Sequence, residues 1–263
     1  MNLDVQRLHW AARRYCMEHH DKWSLHYTRG AWTDAEGEGI FPRYLVLEAI
    51  RLDLERMTDE LPGDLGGARE RFASAGLTAE SEFTDLESPR ARTAMREERD
   101  EFASYVRQIP AAELDVVEPL PYCRELGRAE ADKIWASLES RWGLVRREFW
   151  IPLREHSRPD VAGFQDKYFK LKFPAERLRS LLSEKGVSRV WQLCEYGPEH
   201  ELDVALFEPG YFGPEGVWTS KSQDWIVYAS HESSITVGGW LLEVVREAWP
   251  ESSRHEWTTP FFE

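Results

Sequence analysis

The chain reads as α+β: a helical N-terminal half docked on a C-terminal antiparallel sheet with flanking helices. Three observations predict this. Apolar residues recur every three or four positions through the first 110 residues, the spacing of one helix face. From residue 188 onward the period shortens towards two between Gly/Pro turns, as in antiparallel strands with short connections. The two patterns also occupy separate blocks, which argues against alternating βαβ units.

Taken in order, Leu8, Ala12, Tyr15 and His19 mark one side of a first, short helix. Tyr44, Leu47, Ile50, Leu54, Met57 and Leu61 draw the stripe of a second, stopped by "LPG" at 61–63. Ser88-Pro89 announces a third, an N-cap followed by proline at the first helical position, with Met95, Phe102, Tyr105, Val106 and Ile109 inward. The stretch "PAAELDVVEPLP", residues 110–121, holds three prolines. It divides the chain into a helical region (1–110), a linker (111–121) and an α+β region (122–263). Beyond it, Ala131, Ile134, Trp135, Leu138 and Trp142 predict a helix closed by Gly143 as C-cap. "FWIPL" (149–153) reads as a short extended segment, and Pro174 opens a helix carrying Leu178, Leu181 and Leu182, ended by Gly186. The runs "SRVWQLCEYG", "ELDVALFEPG", "DWIVYASHES" and "SITVGG" then predict an antiparallel meander, with "YGPEH" and "FGPEG" as similar turns between them. A last helix, Trp240 to Trp249, stops at Pro250.

Composition excludes several functions. The formal charge is −14, spread as −6 before Pro110 and −8 after it, which repels nucleic acid and anionic lipid and attracts a basic protein partner. No apolar run approaches the roughly 20 residues of a membrane span, and the amphipathic opening does not resemble a secretion signal. The expected setting is the cytoplasm. Cys16, Cys123 and Cys194 are far apart and read as reduced thiols. Cys16 and His20 are one helical turn apart in a stretch that also holds His9, His19 and His26. No second ligand pair completes a zinc set, so no metal and no cofactor is expected. The glycines of "GDLGG" and "GEGIF" lack phosphate-loop spacing, and no G-x-S-x-G elbow occurs. "RWGLVRREFW" (141–150) is too short and too balanced by acids to bind nucleic acid.

The run "DWIVYASHES" (224–233) carries the sharpest candidate. Alternation places Trp225, Val227, Ala229 and His231 on one face and Ile226, Tyr228, Ser230 and Glu232 on the other. Ser230 and His231 therefore point apart and cannot form a nucleophile–base pair in a regular strand. A neighbouring strand could bring Glu195 or Asp203 beside His231, the minimum unit of general-base chemistry. The alternative is a structural histidine at a strand end. Among twelve tryptophans, Trp135, Trp142, Trp225 and Trp240 fall in apolar periodicity. Trp23, Trp32 and Trp257 lie in polar surroundings and suit an interface.

The segments "PLPYCRELGRAEADKIWASLESRWG", "YGPEHELDVALFEPG" and "DWIVYASHESSITVGGWLLEVVREAWP" resemble a group of bacterial proteins without an assigned function. "DWIVYASHESSIT" is similar to immunity proteins that protect bacteria from polymorphic toxins. That resemblance implies an acidic cytoplasmic protein acting by occupying a toxin's surface rather than by catalysis. Two readings follow. One is a non-enzymatic binding protein, an immunity-type inhibitor of a basic toxin, with Glu195, Asp203, Asp224, His231 and Glu232 as its binding surface. The other is a small hydrolase-type enzyme with His231 as general base and a neighbouring carboxylate. A cavity holding His231 and a carboxylate within hydrogen-bond reach favours the enzyme; a flat acidic face with exposed tryptophan favours the binder.

Overall fold

A computed structural model describes residues 2–30, 32–148, 150 and 158–256. The chain is α+β and divides into two compact units, Met1–Leu120 and Pro121–Glu263. "FWIPL" apart from Trp150, and Trp257, lie outside the described residues.

The first unit is helical: α1 (Leu3–Arg29), α2 (Asp34–Gly37), α3 (Phe41–Arg56), α4 (Leu65–Thr78), α5 (Pro89–Gln108) and α6 (Ala111–Leu114). Val5, Leu8, Ala12, Ile50, Leu54, Phe72, Phe102 and Val106 form its core. The Ser88 hydroxyl accepts from the Ala91 N–H at 3.4 Å, the cap that Ser88-Pro89 predicts. α1 runs much further than its apolar stripe, because the periodic signal reports burial and only residues up to Cys16 are buried. α4 carries the Gly66-Gly67 pair in its first turn, and apolar spacing does not predict it. It needs Gly76, since a Cβ there would lie 2.2 Å from Phe102 Cδ1. Of the stretch 111–121, Leu114 is buried in this core and Val117 packs against it.

Among the described residues of this unit, four polar side chains are buried: His9, Arg13, Glu55 and Glu98. His9 is 2% exposed, its Nε2 2.8 Å from the Leu54 carbonyl. A ring that donates from Nε2 and sits out of water stays neutral, and burial lowers its pKa to about 4. The sign is direct. An unfolded His takes up a proton below about pH 6.5 and the folded one resists until about 4, so stability is full above 6.5 and is lost as pH falls towards 4. His9→Gln keeps a donor to Leu54 without the titration. Protection of the α1 amides against exchange, corrected for the intrinsic rate and followed between pH 7 and 4, should fall on acidification in the native chain and fall less in the variant.

The second unit is built on a seven-stranded sheet: β1 (Cys123–Glu125), β2 (Val161–Gln165), β3 (Arg189–Cys194), β4 (His200–Asp203), β5 (Gly216–Thr219), β6 (Trp225–Ser230) and β7 (Ser234–Gly239), ordered β1-β4-β3-β5-β6-β7-β2 with every pairing antiparallel. The meander is incomplete. β5 pairs with β3, leaving β4 on β3's other side. Of "ELDVALFEPG", only the first three residues are strand; Val204–Leu206 form a 3-10 turn.

Helices cover both faces. α7 (Arg128–Trp142) brings Ala131, Ile134, Trp135 and Leu138 onto Leu193, Val217, Ile226 and Tyr228. On the other face α8 (Asp166–Lys172), α9 (Ala175–Glu184) and α10 (Trp240–Ala248) pack Phe169, Leu178, Leu182, Leu241 and Val245 onto Trp225, Val227, Ala229 and Val237. β6 is therefore buried at every position. α7 closes at Gly143, φ 67°, and the turn after α9 at Gly186, φ 78°, as their positions predict.

Candidate functional site

The site lies where β3, β5 and the β6–β7 hairpin end together. β6 and β7 are joined by His231, Glu232 and Ser233, with Ser233 in the left-handed region at φ 57°, the geometry that closes a three-residue hairpin loop. Register places Gly216 opposite both Cys194 and Ala229. Glu215, one residue before β5, thus falls between Glu195 and the start of the hairpin loop. The Glu195 N–H donates to the Glu215 carbonyl at 2.9 Å.

Glu215 organises the site. It is 8% exposed. One carboxylate oxygen accepts from the Tyr228 hydroxyl; the other accepts from His231 Nδ1 at 2.6 Å and from the His231 N–H at 3.3 Å. His231 Nε2 lies 3.0 Å from Glu232 Oε1. The bond to Glu215 raises the His231 pKa above its usual value, against some desolvation and with help from the charges of Glu232 and Glu195. Burial and then Glu215 push the Tyr228 hydroxyl up, so it stays a donor.

The ring leaves the set that alternation assigns it. It meets the carboxylate that also holds Tyr228, a member of the opposite set, because the chain has already turned out of β6 at His231. Ser230 stays buried in the sheet, its Oγ 2.8 Å from Ser234 Oγ.

Glu195, Tyr196, Tyr211, Gly213, Glu215 and His231 line a cavity of 330 Å³. Tyr196 is 55% exposed, Tyr211 44% and the adjacent Phe212 70%. The Tyr211 ring is 6.4 Å from the imidazole. The result is a small cup with aromatic walls and an excess of carboxylate. Nδ1 is bonded to Glu215 and Nε2 stands at ion-pair distance from Glu232, and both contacts favour the protonated ring. Among the described residues no serine, threonine or cysteine side chain bonds the imidazole.

Sequence reasoning brings Glu195, His231 and Glu232 to this place. The carboxylate that holds His231 is Glu215, rather than Glu195 or Asp203. Asp203 sits on β4, three strands from β6 and so about 14 Å across the sheet. It pairs with Arg189 at 2.9 Å and caps the 3-10 turn through the Ala205 N–H. Asp224 stands before β6, about 23 Å along the strand from His231. Trp23 and Trp32 are half-buried; Trp32 Nε1 donates to the Tyr27 carbonyl at 3.0 Å. The described aromatics that are most exposed are tyrosines and phenylalanines. In the N-terminal histidine stretch, Cys16 is fully buried, its thiol pushed up by desolvation, while His20 lies 3.2 Å from Asp21.

One sequence signal marks Glu215. "YGPEH" and "FGPEG" share G-P-E, and the structure treats them alike. Gly197 and Gly213 take φ of 107° and 115°, and both glutamates are buried, Glu199 at 6% and Glu215 at 8%. Glu199 accepts from Trp135 Nε1 at 2.5 Å and pairs with Arg146 at 2.9 Å. The echo is thus a device that carries a carboxylate under a strand end.

Comparison of the chain with protein-family models, curated proteins and solved structures finds no match.

Proposed function

We propose that this is a non-enzymatic binding protein of the cytoplasm, an inhibitor of the immunity type that captures a basic protein, and that the His231 cup receives a cationic side chain of that partner. The observation that carries this is the union of Glu195 and Glu215 with the exposed rings of Tyr196 and Tyr211 around one 330 Å³ cavity. A guanidinium or ammonium gains there from both ring faces and carboxylate. The chain's charge of −14 would steer the encounter, and the exposed aromatics would anchor it.

A hydrolase-type reading draws on one observation, the contact of His231 with Glu215 inside a cavity. Against it, a carboxylate oxygen of Glu232 stands 3.0 Å from the second ring nitrogen, the one a general base would turn to its substrate, and Ser230 is bonded to Ser234 instead.

The test is capture from lysate of the native cell by immobilised protein, with retained proteins identified. A basic protein should be held by the native chain, be released by salt, and be lost from Glu195→Lys carrying Tyr211→Ala. Retention unchanged by both substitutions overturns the reading, as does an ester or phosphoester turnover that vanishes in His231→Ala.

A further inference from the structure

At the far end of β6 a second cavity, of 530 Å³, has the opposite character. Lys185 and Ser188 reach it from the turn between α9 and β3, Arg189 from the first residue of β3, Lys221 and Asp224 from the β5–β6 loop, and Trp240 from the start of α10. Three cations from two stretches, 185–189 and the β5–β6 loop, thus converge in a chain whose overall charge is −14. Arg189 is engaged, paired with Asp203 at 2.9 Å and stacked 3.7 Å from the Tyr122 ring. Lys185 lies 5.7 Å from the Trp240 ring. Lys185 and Lys221 are exposed, and among the described residues neither forms an ion pair with a carboxylate.

The backbone is shaped around this place. Gln223 is held at φ 51°, an uncommon value for a side-chain-bearing residue. Gly239 takes φ 68°, and a Cβ on it would lie 2.1 Å from the Asp224 carbonyl, so only glycine lets α10 start here. That start has no side-chain cap; its first N–H, that of Trp240, donates to the Asp224 carbonyl at 3.3 Å, which ties α10 to the loop that carries Asp224. The Trp225 indole donates to Ser220 Oγ at 2.9 Å, Ser220 Oγ lies 3.0 Å from Ser222 Oγ, and Ser222 donates to Asp224. This chain fixes the Asp224 carboxylate as an acceptor beside the cations.

We infer that this cavity binds a phosphorylated small molecule bearing hydroxyls, a sugar phosphate in class. Lys185 and Lys221 hold the phosphoryl group, and Asp224 accepts from a hydroxyl. The volume exceeds what a bare phosphate fills, and the half-buried Trp240 ring supplies a flat wall for the carbon skeleton. The site is independent of the His231 cup, and its failure leaves that reading untouched.

Calorimetric titration of the full chain with ribose 5-phosphate, inorganic phosphate and ribose tests it. Ribose 5-phosphate should bind saturably and more tightly than phosphate, and ribose not at all. Lys185→Ala with Lys221→Ala should weaken binding by about tenfold or more, the scale of a lost charge-assisted hydrogen bond. Lys221→Arg should retain it. Asp224→Asn should remove the advantage of the sugar phosphate over phosphate. Absence of saturation by both phosphates, or affinity unchanged in the double lysine variant, overturns the assignment.

Discussion

Glu55→Ala should cost the helical unit about 3–5 kcal/mol, the scale of breaking a buried ion pair by removing one partner. The Glu55 side chain is 1% exposed and the Arg13 side chain 5%. Glu55 Oε1 receives Arg13 Nη2 at 3.2 Å and Arg51 Nη1 at 2.7 Å. Truncation takes the Glu55 carboxylate away from an Arg13 guanidinium that stays charged and out of water. Arg51 suffers less, because it is partly exposed and keeps Glu48 at 2.5 Å. Removing both buried charges is gentler than removing one, so Glu55→Leu with Arg13→Met should recover much of the loss. Hydrogen exchange in α1 and α3 gives the measurement, since it reads this unit without assuming that the whole chain unfolds in one step. A single variant as stable as the native protein, or a double variant worse than the single, would refute the account.

That pair also shows where the sequence stops being legible. Apolar spacing locates α3, α5, α7, α9 and α10, because each buries one stripe; Ser88 starts α5, Gly143 closes α7 and Gly186 the turn after α9, whereas α3 ends at Arg56, short of Leu61 and the "LPG" at 61–63. Spacing is silent on Arg13 and Glu55. Their charges look like surface until α1 and α3 are known to pack. It is equally silent on the outer half of α1, which is helical without being buried. In the second unit β6 and β7 are plain from their β-branched and aromatic runs. β1, β2 and β5 are missed, being three to five residues long with no room for a period to declare itself. Missing β5 is what hides the site. Without "GVWT" paired to "WIVYAS", nothing says that Glu215 lies beside His231 sixteen residues on, and Asp203 is offered in its place. The G-P-E echo was visible throughout, but a turn motif does not announce that its glutamate will be covered.

Glu215→Ala carries the second large effect, and its pH dependence distinguishes a network centred on this carboxylate from a merely packed side chain. The change strips the buried Tyr228 hydroxyl of its acceptor and removes the principal partner of the imidazole, together a loss of about 2–4 kcal/mol on the scale of charge-assisted and orphaned hydrogen bonds. Part of that loss depends on pH. Because Glu215 raises the His231 pKa in the folded chain, the stabilisation through His231 is fully present below the ordinary value of about 6.5 and disappears as pH rises through the folded value. The Tyr228 bond persists across the same range, since burial holds that hydroxyl protonated. The gap between native protein and variant should therefore be widest near pH 6, narrow as pH rises, and level off above zero once His231 is neutral. Glu215→Gln, which keeps an oxygen for Tyr228 but no charge for the ring, should retain the alkaline plateau while its His231 resonance titrates closer to 6.5. Urea unfolding at a series of pH values, with amide exchange in β6 to localise the effect and NMR of the imidazole alongside, reads each part. A gap constant with pH, or a His231 titration unmoved by Glu215→Gln, would mean that the carboxylate does not hold the ring in its charged form.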